Sequence, residues 1–407
     1  MGLTEPHPGR HDLVVFSLEP WDEVWRRNQH LVSRLLDADP ELHVLFVEPP
    51  ADPLHAARSG HPPRPGAGLH PVPGDDRWSG RLRLYQPTKW LPRRIDPHGD
   101  ARRTRRAQSL AGRTSPETTV LWVNDLAAVS ALDAGPAVLY DITDDWIAAD
   151  RPAAAHDRLV AAESRLLREA DTVVVCAPAL VRTKGGHGRP PVLVTNGVDE
   201  IAYSDAVPRP ADLPASPVAL YVGTLHRDRL DVGLAVRTQR ALADVGGRLV
   251  LVGPVALDQL DRVRLESTGV VLLGPRPFGT VPAYLRHADV LVVPHVVDAF
   301  TDSLNPIKLY EYRAAGRPVI STPVAGFRDE GHPTVTCAVA EEFPSAVSTL
   351  VRDVLRGTVP PPDGSPTELP RTLPTWAQQA TAMAEILTST RRAAGAVAGA
   401  RTPPPRR

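Results

Sequence analysis

The chain has 407 residues, 42% apolar and 23% charged, with 44 prolines and a formal net charge of −1. That length suits two ordinary domains, and the balanced charge gives no global argument for nucleic acid or membrane as a partner. Two cysteines, Cys176 and Cys337, are too few and too far apart for a disulfide framework or a metal site.

In the first half, short apolar runs alternate with segments of helical length. Strands are predicted at DLVVFSL, HVLFVEP, RLRLYQP, TVLWVND, AVLYDIT, TVVVCAP and PVLVTNG. Between them, VWRRNQHLVSRLLDA and DRLVAAESRLLREA carry helical apolar spacing. Residues 77–113 hold eleven Lys or Arg against two Asp, a strongly basic region within a balanced chain. It is either a solvated helix face or a surface attracted to an anionic leaflet or a lipid-pyrophosphate acceptor. Residues 198–217, rich in Pro, Asp, Ala and Ser, show no period and read as a linker.

The strand rhythm restarts at VALYVGTL, RLVLVGP, VVLLGP, ADVLVVP and RPVIST, all Val- or Leu-rich without polar alternation. Such runs suit parallel strands buried on both faces. After a second non-periodic stretch at 357–370, TWAQQATAMAEILTSTRRA is predicted as a closing amphipathic helix, and the tail 394–407 as disordered. The expected fold is α/β, two Rossmann-like doubly wound domains at 1–197 and 198–370 facing across a cleft, with a closing helix at about 371–393. Neither domain opens with G-x-G-x-x-G and no Walker A loop occurs, which disfavours dinucleotide redox and P-loop chemistry.

The segment NPIKLYEYRAAGRPVIST (305–322) carries the chemistry. Asn305 is predicted to cap a helix with Pro306 at its first position, followed by Ile307. The free amides of that helix would meet a phosphate or pyrophosphate, worth up to about 2 kcal/mol. Lys308 adds a full charge. Glu311, three residues on, shares its face and is placed to accept from a ribose diol. The bland alternative is a surface ion pair worth a few tenths of a kcal/mol.

This segment, with PHVVDAF before it, resembles the donor motif of group 1 (family 4-like) GT-B glycosyltransferases and the teichuronic-acid-type enzymes. TNGVD (195–199), YVGTLHRDRLD (221–231) and FGTVPAYLRHADVLVVPH (278–295) fall in the order that the resemblance requires. It implies a nucleotide-sugar donor, UDP- or GDP-linked, with no cofactor or metal, and a glycan, lipid-linked or small-molecule acceptor. Ser303 stands where such enzymes usually carry a second glutamate, so contacts to the sugar must come from elsewhere, with Asp302, Asn305 and Asp298 as candidates. Around Gly223, Thr224 occupies the family's arginine position and Arg229 that of its phosphate-binding lysine. The nucleobase is expected against GPRPF, at Arg276.

In the first half, YDITDDW (140–146) ends a strand with three carboxylates. Asp144 or Asp145 is a candidate base for the acceptor hydroxyl, with Asp144 preferred. Trp21, Arg27 and Gln29, beside Asn28, are expected to line the acceptor side of the cleft. The opening residues lack a secretory h-region and no run reaches the roughly 20 apolar residues of a membrane span, so a cytoplasmic protein is expected, peripheral at the inner membrane face where the basic stretch docks. The function expected is transfer of a sugar to an acceptor hydroxyl. A 2-epimerase-like isomerase and a degenerate nucleotide-sugar-binding partner are the rivals.

Overall fold

The computed structural model describes residues 11–60, 62–73, 77–78, 80–112, 118–149, 151–188, 190–358 and 372–401. The first half forms a sheet from β1 (Leu13–Phe16), β2 (Val44–Val47), β3 (Gly68–Pro71), β4 (Leu82–Gln86), β5 (Val120–Val123), β6 (Ala137–Ile142), β7 (Thr172–Val175) and β8 (Val192–Leu193). Their order is β3-β4-β2-β1-β5-β6-β7-β8, parallel except for β3 against β4. Helices α1 (Arg27–Ala38), α2 (Pro53–Arg58), α3 (Gly99–Leu110), α4 (Ala153–Glu169) and α5 (Pro178–Thr183) connect them.

The second half repeats the plan with β9 (Val218–Val222), β10 (Arg248–Val252), β11 (Val271–Gly274), β12 (Val290–Val293), β13 (Val319–Ser321) and β14 (Val335–Cys337), ordered β11-β10-β9-β12-β13-β14 and wholly parallel. Its helices are α6 (Val232–Ala243), α7 (Gln259–Ser267), α8 (Val281–His287), α9 (Ile307–Ala315) and α10 (Phe343–Leu355), and α11 (Trp376–Arg401) closes the chain. All twelve predicted strands are present. Edge strands β3 and β14 are additional; GLHP and VTC are too short and too mixed to announce themselves.

Strand side chains alternate between two cores. Leu13 and Val15 point to one, Val14 and Phe16 to the other. The uniform apolar runs therefore cover a sheet wetted on neither face. Into the first core α11 sends Trp376, Ala380, Met383 and Leu387, a stripe at helical spacing that meets Leu31 and Leu35 of α1. So the last helix, which follows the second sheet in sequence, packs on the first.

The segment expected as a linker is held against the second domain: Arg286 donates to the carbonyls of Tyr203 and Asp205, and Arg209 to that of His287 at 3.0 Å. One expectation is corrected. The tail predicted as disordered from 394 is helical through Arg401, because RRAAGAVAGA is alanine-rich and extends α11. Residues 402–407, and 359–371 within the second non-periodic stretch, lie outside the described residues.

Candidate active site

The carboxyl ends of both sheets meet at a cleft. On the second domain, β9 and β10 each end in a glycine with positive φ, Gly223 at 149° and Gly253 at 142°. A Cβ on Gly253 would lie 2.1 Å from the Gly223 carbonyl oxygen; one on Gly223 would lie 3.0 Å from Lys308 Nζ. The bare backbone lets the two turns touch and leaves room for the lysine. Lys308 Nζ donates to Tyr221 Oη at 3.0 Å, lies 3.4 Å from His295 Nε2, and stands 4.5 Å above the Tyr221 ring. Burial holds His295 well below its ordinary pKa, so it is neutral, and its Nε2 is hydrogen-bonded with Tyr221 Oη at 3.0 Å.

Burial lowers the Lys308 pKa to about 7; the Arg229 charge adds to the effect and Glu311 opposes it. Burial raises Glu311 to about 7 as well, against the pull of Lys308. Half-buried, the Glu311 carboxylate has no hydrogen-bond donor among the described residues. Together these are a cation and an anion on one helix face, both short of solvation: groups suited to a ligand that carries negative charge and hydroxyls.

Across the cleft, Arg229 donates to Asp144 Oδ2 at 2.9 Å and lies over the Phe300 ring. Burial raises the Asp144 pKa and Arg229 pulls it back. Close by is Glu19, in the loop after β1. Burial raises its pKa to about 7, with Arg26, Asp144 and Arg229 all near enough to act on it. No hydrogen bond to its carboxylate occurs among the described residues. The domains also touch where Phe278 stacks on Trp25 at 4.0 Å and its N–H donates to the Glu23 carbonyl at 3.0 Å.

Residues 216–353 match the family model described as "Glycosyl transferases group 1". That stretch covers most of the second domain and about a third of the chain. A curated relative, the putative teichuronic acid biosynthesis glycosyltransferase TuaH of Bacillus subtilis (strain 168), is 26% identical over 210 residues, 48% of this chain and 52% of that protein. The match thus spans about half the length of that relative. Sucrose-phosphate synthase from Thermosynechococcus elongatus superposes with a TM-score of 0.61 at 18% identity, covering 95% of this chain and 94% of the other. Anabaena HepE in complex with UDP and glucose gives 0.56 at 13% identity, covering 96% and 99%. These place the chain in the GT-B fold, two α/β domains around a cleft. The isomerase and binding-partner alternatives find no support in these matches.

Within the second domain, several expected ligands are engaged in contacts with the protein itself. Helix α9 is capped by Pro306 and starts at Ile307, so Asn305 is not its cap. Asn305 Oδ1 instead accepts from Asn196 N at 2.9 Å and its Nδ2 donates to Tyr310 Oη at 2.9 Å, tying TNG of one domain to NP of the other. Ile307 packs against the first domain's core, and Pro306 lies beneath Gly326. Buried Ser303 donates to the Phe300 carbonyl at 2.7 Å and receives the Asp145 N–H at 3.4 Å, which leaves it no face for a sugar. Of the substitutes, Asp298 caps the turn at Thr301 and exposed Asp302 pairs with Arg328. Arg276 is taken up by Asp212 and Tyr284, holding the linker rather than facing a base. Thr224 lies half-buried beside Gly223 at the turn after β9.

The first-domain expectations need more correction. Buried Arg27 forks onto both oxygens of fully buried Asp141 at 3.2 and 3.3 Å and donates to the Thr195 carbonyl at 3.0 Å. Gln29 completes a capping box, accepting from Arg26 N at 3.0 Å and donating to the Asp22 carbonyl at 2.9 Å. Trp21 packs edge-on against Phe46 and Trp78. All three are engaged by partners within the first domain. Asp145 is held by Lys184 at 2.8 Å, which also binds buried Glu163 at 2.9 Å, so its carboxylate is not an available base. Sequence reasoning missed Glu19, whose one signal is its place just past the carboxyl end of β1.

Proposed function

We propose that the protein is a glycosyltransferase that moves a sugar from a nucleoside-diphosphate donor, UDP- or GDP-linked, to an acceptor hydroxyl. The observation that carries this reading is the Lys308–Glu311 pair, half-buried at the cleft and one helical turn apart. The opening amides of α9 and Lys308 face the diphosphate, and Glu311 accepts from the ribose hydroxyls. Arg229, released from Asp144, joins Lys308 in neutralising the leaving diphosphate, electrostatic work for which these cations serve without a resident metal.

Glu19 takes the acceptor proton. On the first domain's side of the cleft Asp145 is bound by Lys184 and Asp144 is held by Arg229 until the donor arrives, whereas Glu19 accepts from no protein donor among the described residues. As the proton passes to Glu19, the acceptor oxygen bonds to the anomeric carbon. The bond from that carbon to the diphosphate breaks, its electron pair leaving on the nucleotide. The acceptor is a glycan, lipid-linked or small-molecule hydroxyl, and the name of the TuaH relative favours surface polysaccharide. Peripheral attachment to an anionic membrane through 77–113 belongs to the same proposal; among the described residues no helix is long and apolar enough to cross a membrane.

The test is release of UDP or GDP from a panel of nucleotide hexoses by the purified chain, with water or added sugars as acceptor. Release that Glu311→Ala abolishes supports the reading. A panel in which neither diphosphate nor donor shifts the melting temperature rules it out.

A further inference from the structure

The turn between β4 and α3 leaves three large apolar side chains in water: Trp90 is 64% exposed, Leu91 48% and Ile95 61%. Trp90 makes no ring contact among the described residues. The turn is nonetheless firmly held. Lys89 N–H donates to the Ala51 carbonyl at 2.8 Å, and the N–H groups of Ile95 and Asp96 both donate to the Pro92 carbonyl, at 2.9 and 3.0 Å. Arg93 pairs with Asp100 at 2.6 Å and Arg102 pairs with Asp96, fastening the turn to the start of α3. Outward apolar groups on a braced turn are a feature of the fold, and clustered exposure of this kind marks a contact surface.

The surrounding charge says what it contacts. Much of the basic stretch is neutralised at home: Arg77 by Asp37, Lys89 by Asp52, Arg103 by Asp100. Arg94, Arg105 and Arg106 are exposed and form no ion pair among the described residues. A tryptophan and two aliphatics beside unneutralised arginines fit the interface of an anionic bilayer, where indole sits at the headgroups and guanidinium meets lipid phosphate. The turn also lies at the carboxyl edge of the first sheet, the edge that borders the cleft.

We infer that this turn and the exposed face of α3 dock on an anionic lipid surface, with Trp90, Leu91 and Ile95 entering the headgroup layer and Arg94, Arg105 and Arg106 binding its phosphates. The inference rests on the peripheral attachment proposed above and is independent of the transferase chemistry. Docked this way, the cleft opens close to the bilayer, where a lipid-linked acceptor would present its hydroxyl.

Co-sedimentation of the full chain with phosphatidylglycerol-rich and with phosphatidylcholine vesicles is the test. The protein pellets with the anionic vesicles, less so as salt rises, and stays in solution with the neutral ones. The triple variant Arg94→Ala/Arg105→Ala/Arg106→Ala binds about a hundred-fold more weakly. Trp90→Ser/Ile95→Ser also loses binding, and both variants keep the wild-type melting temperature. Vesicle binding without any nucleotide binding supports this inference while refuting the transferase reading. Equal pelleting with both lipids, none with either, or unchanged binding by the two variants overturns it. So does dimerisation without vesicles that Trp90→Ser abolishes, which would give the face to a second copy of the chain.

Discussion

At the scale of single residues, burial has moved three groups of the proposed site, Lys308, Glu311 and Glu19, to pKa values of about 7. Lys308 and Glu311 each titrate at about 7, driven there from opposite directions by loss of water. A bound diphosphate favours the protonated lysine, so affinity for UDP or GDP falls as pH rises above about 7. A ribose hydroxyl donates best to an ionised carboxylate, so affinity also falls as Glu311 protonates below about 7. Calorimetric titration across this range should show an optimum near neutrality. Lys308→Ala removes the alkaline limb and weakens binding about ten- to a hundred-fold, the worth of one charged hydrogen bond. An affinity flat with pH in the wild type would contradict this assignment.

Glu19 belongs to the same scale. Its pKa of about 7 makes the ionised form appear as pH rises, so donor breakdown should increase through neutrality and level off. Glu19→Gln is expected to lower that rate about 10²- to 10⁴-fold and flatten the profile, while diphosphate binding stays unchanged. A variant with the wild-type rate and profile would return the role to Asp144.

At the scale of elements, the strands were legible because β1, β2, β5, β7, β9, β10 and β12 are unbroken Val- and Leu-rich runs, which parallel buried strands require. Helix α9 was legible too, through its proline entry and its left-handed Gly316 exit. Its cap was not, because Asn305 binds Asn196, a residue 109 positions away. Long-range partners likewise hid the fate of Arg27, whose Asp141 lies 114 positions on. A polar residue at a helix start looks the same in sequence whether it meets a ligand or a buried carboxylate. Glu19 shows the converse: a lone acid in a loop has no period to reveal it.

The closing helix yields a stability prediction at this scale. Trp376 is fully buried and stacks on His30 at 4.6 Å, which in turn meets Phe278 edge-on across the cleft. Trp376→Ala should cost about 3–5 kcal/mol in denaturant unfolding followed by circular dichroism. A loss below about 1 kcal/mol would mean that α11 is not integral to the first domain.

For the whole molecule, Arg229 and Asp144 form a bridge between the two domains, and on the proposed reading a diphosphate competes with the aspartate for that guanidinium. Asp144→Asn should therefore tighten UDP or GDP binding several-fold, read by calorimetry. Weaker binding in that variant would mean that Asp144 positions Arg229 for the donor rather than withholding it.

The most direct test of the account is titration of UDP and GDP into the wild-type chain and into Glu311→Ala at neutral pH. The account predicts saturable binding of at least one diphosphate, raising stability by about 2.7 kcal/mol at a hundred times its dissociation constant. It further predicts that Glu311→Ala, although folded, loses most of that affinity. Equal affinity in both proteins, or no binding of either nucleotide to the wild type, would contradict it.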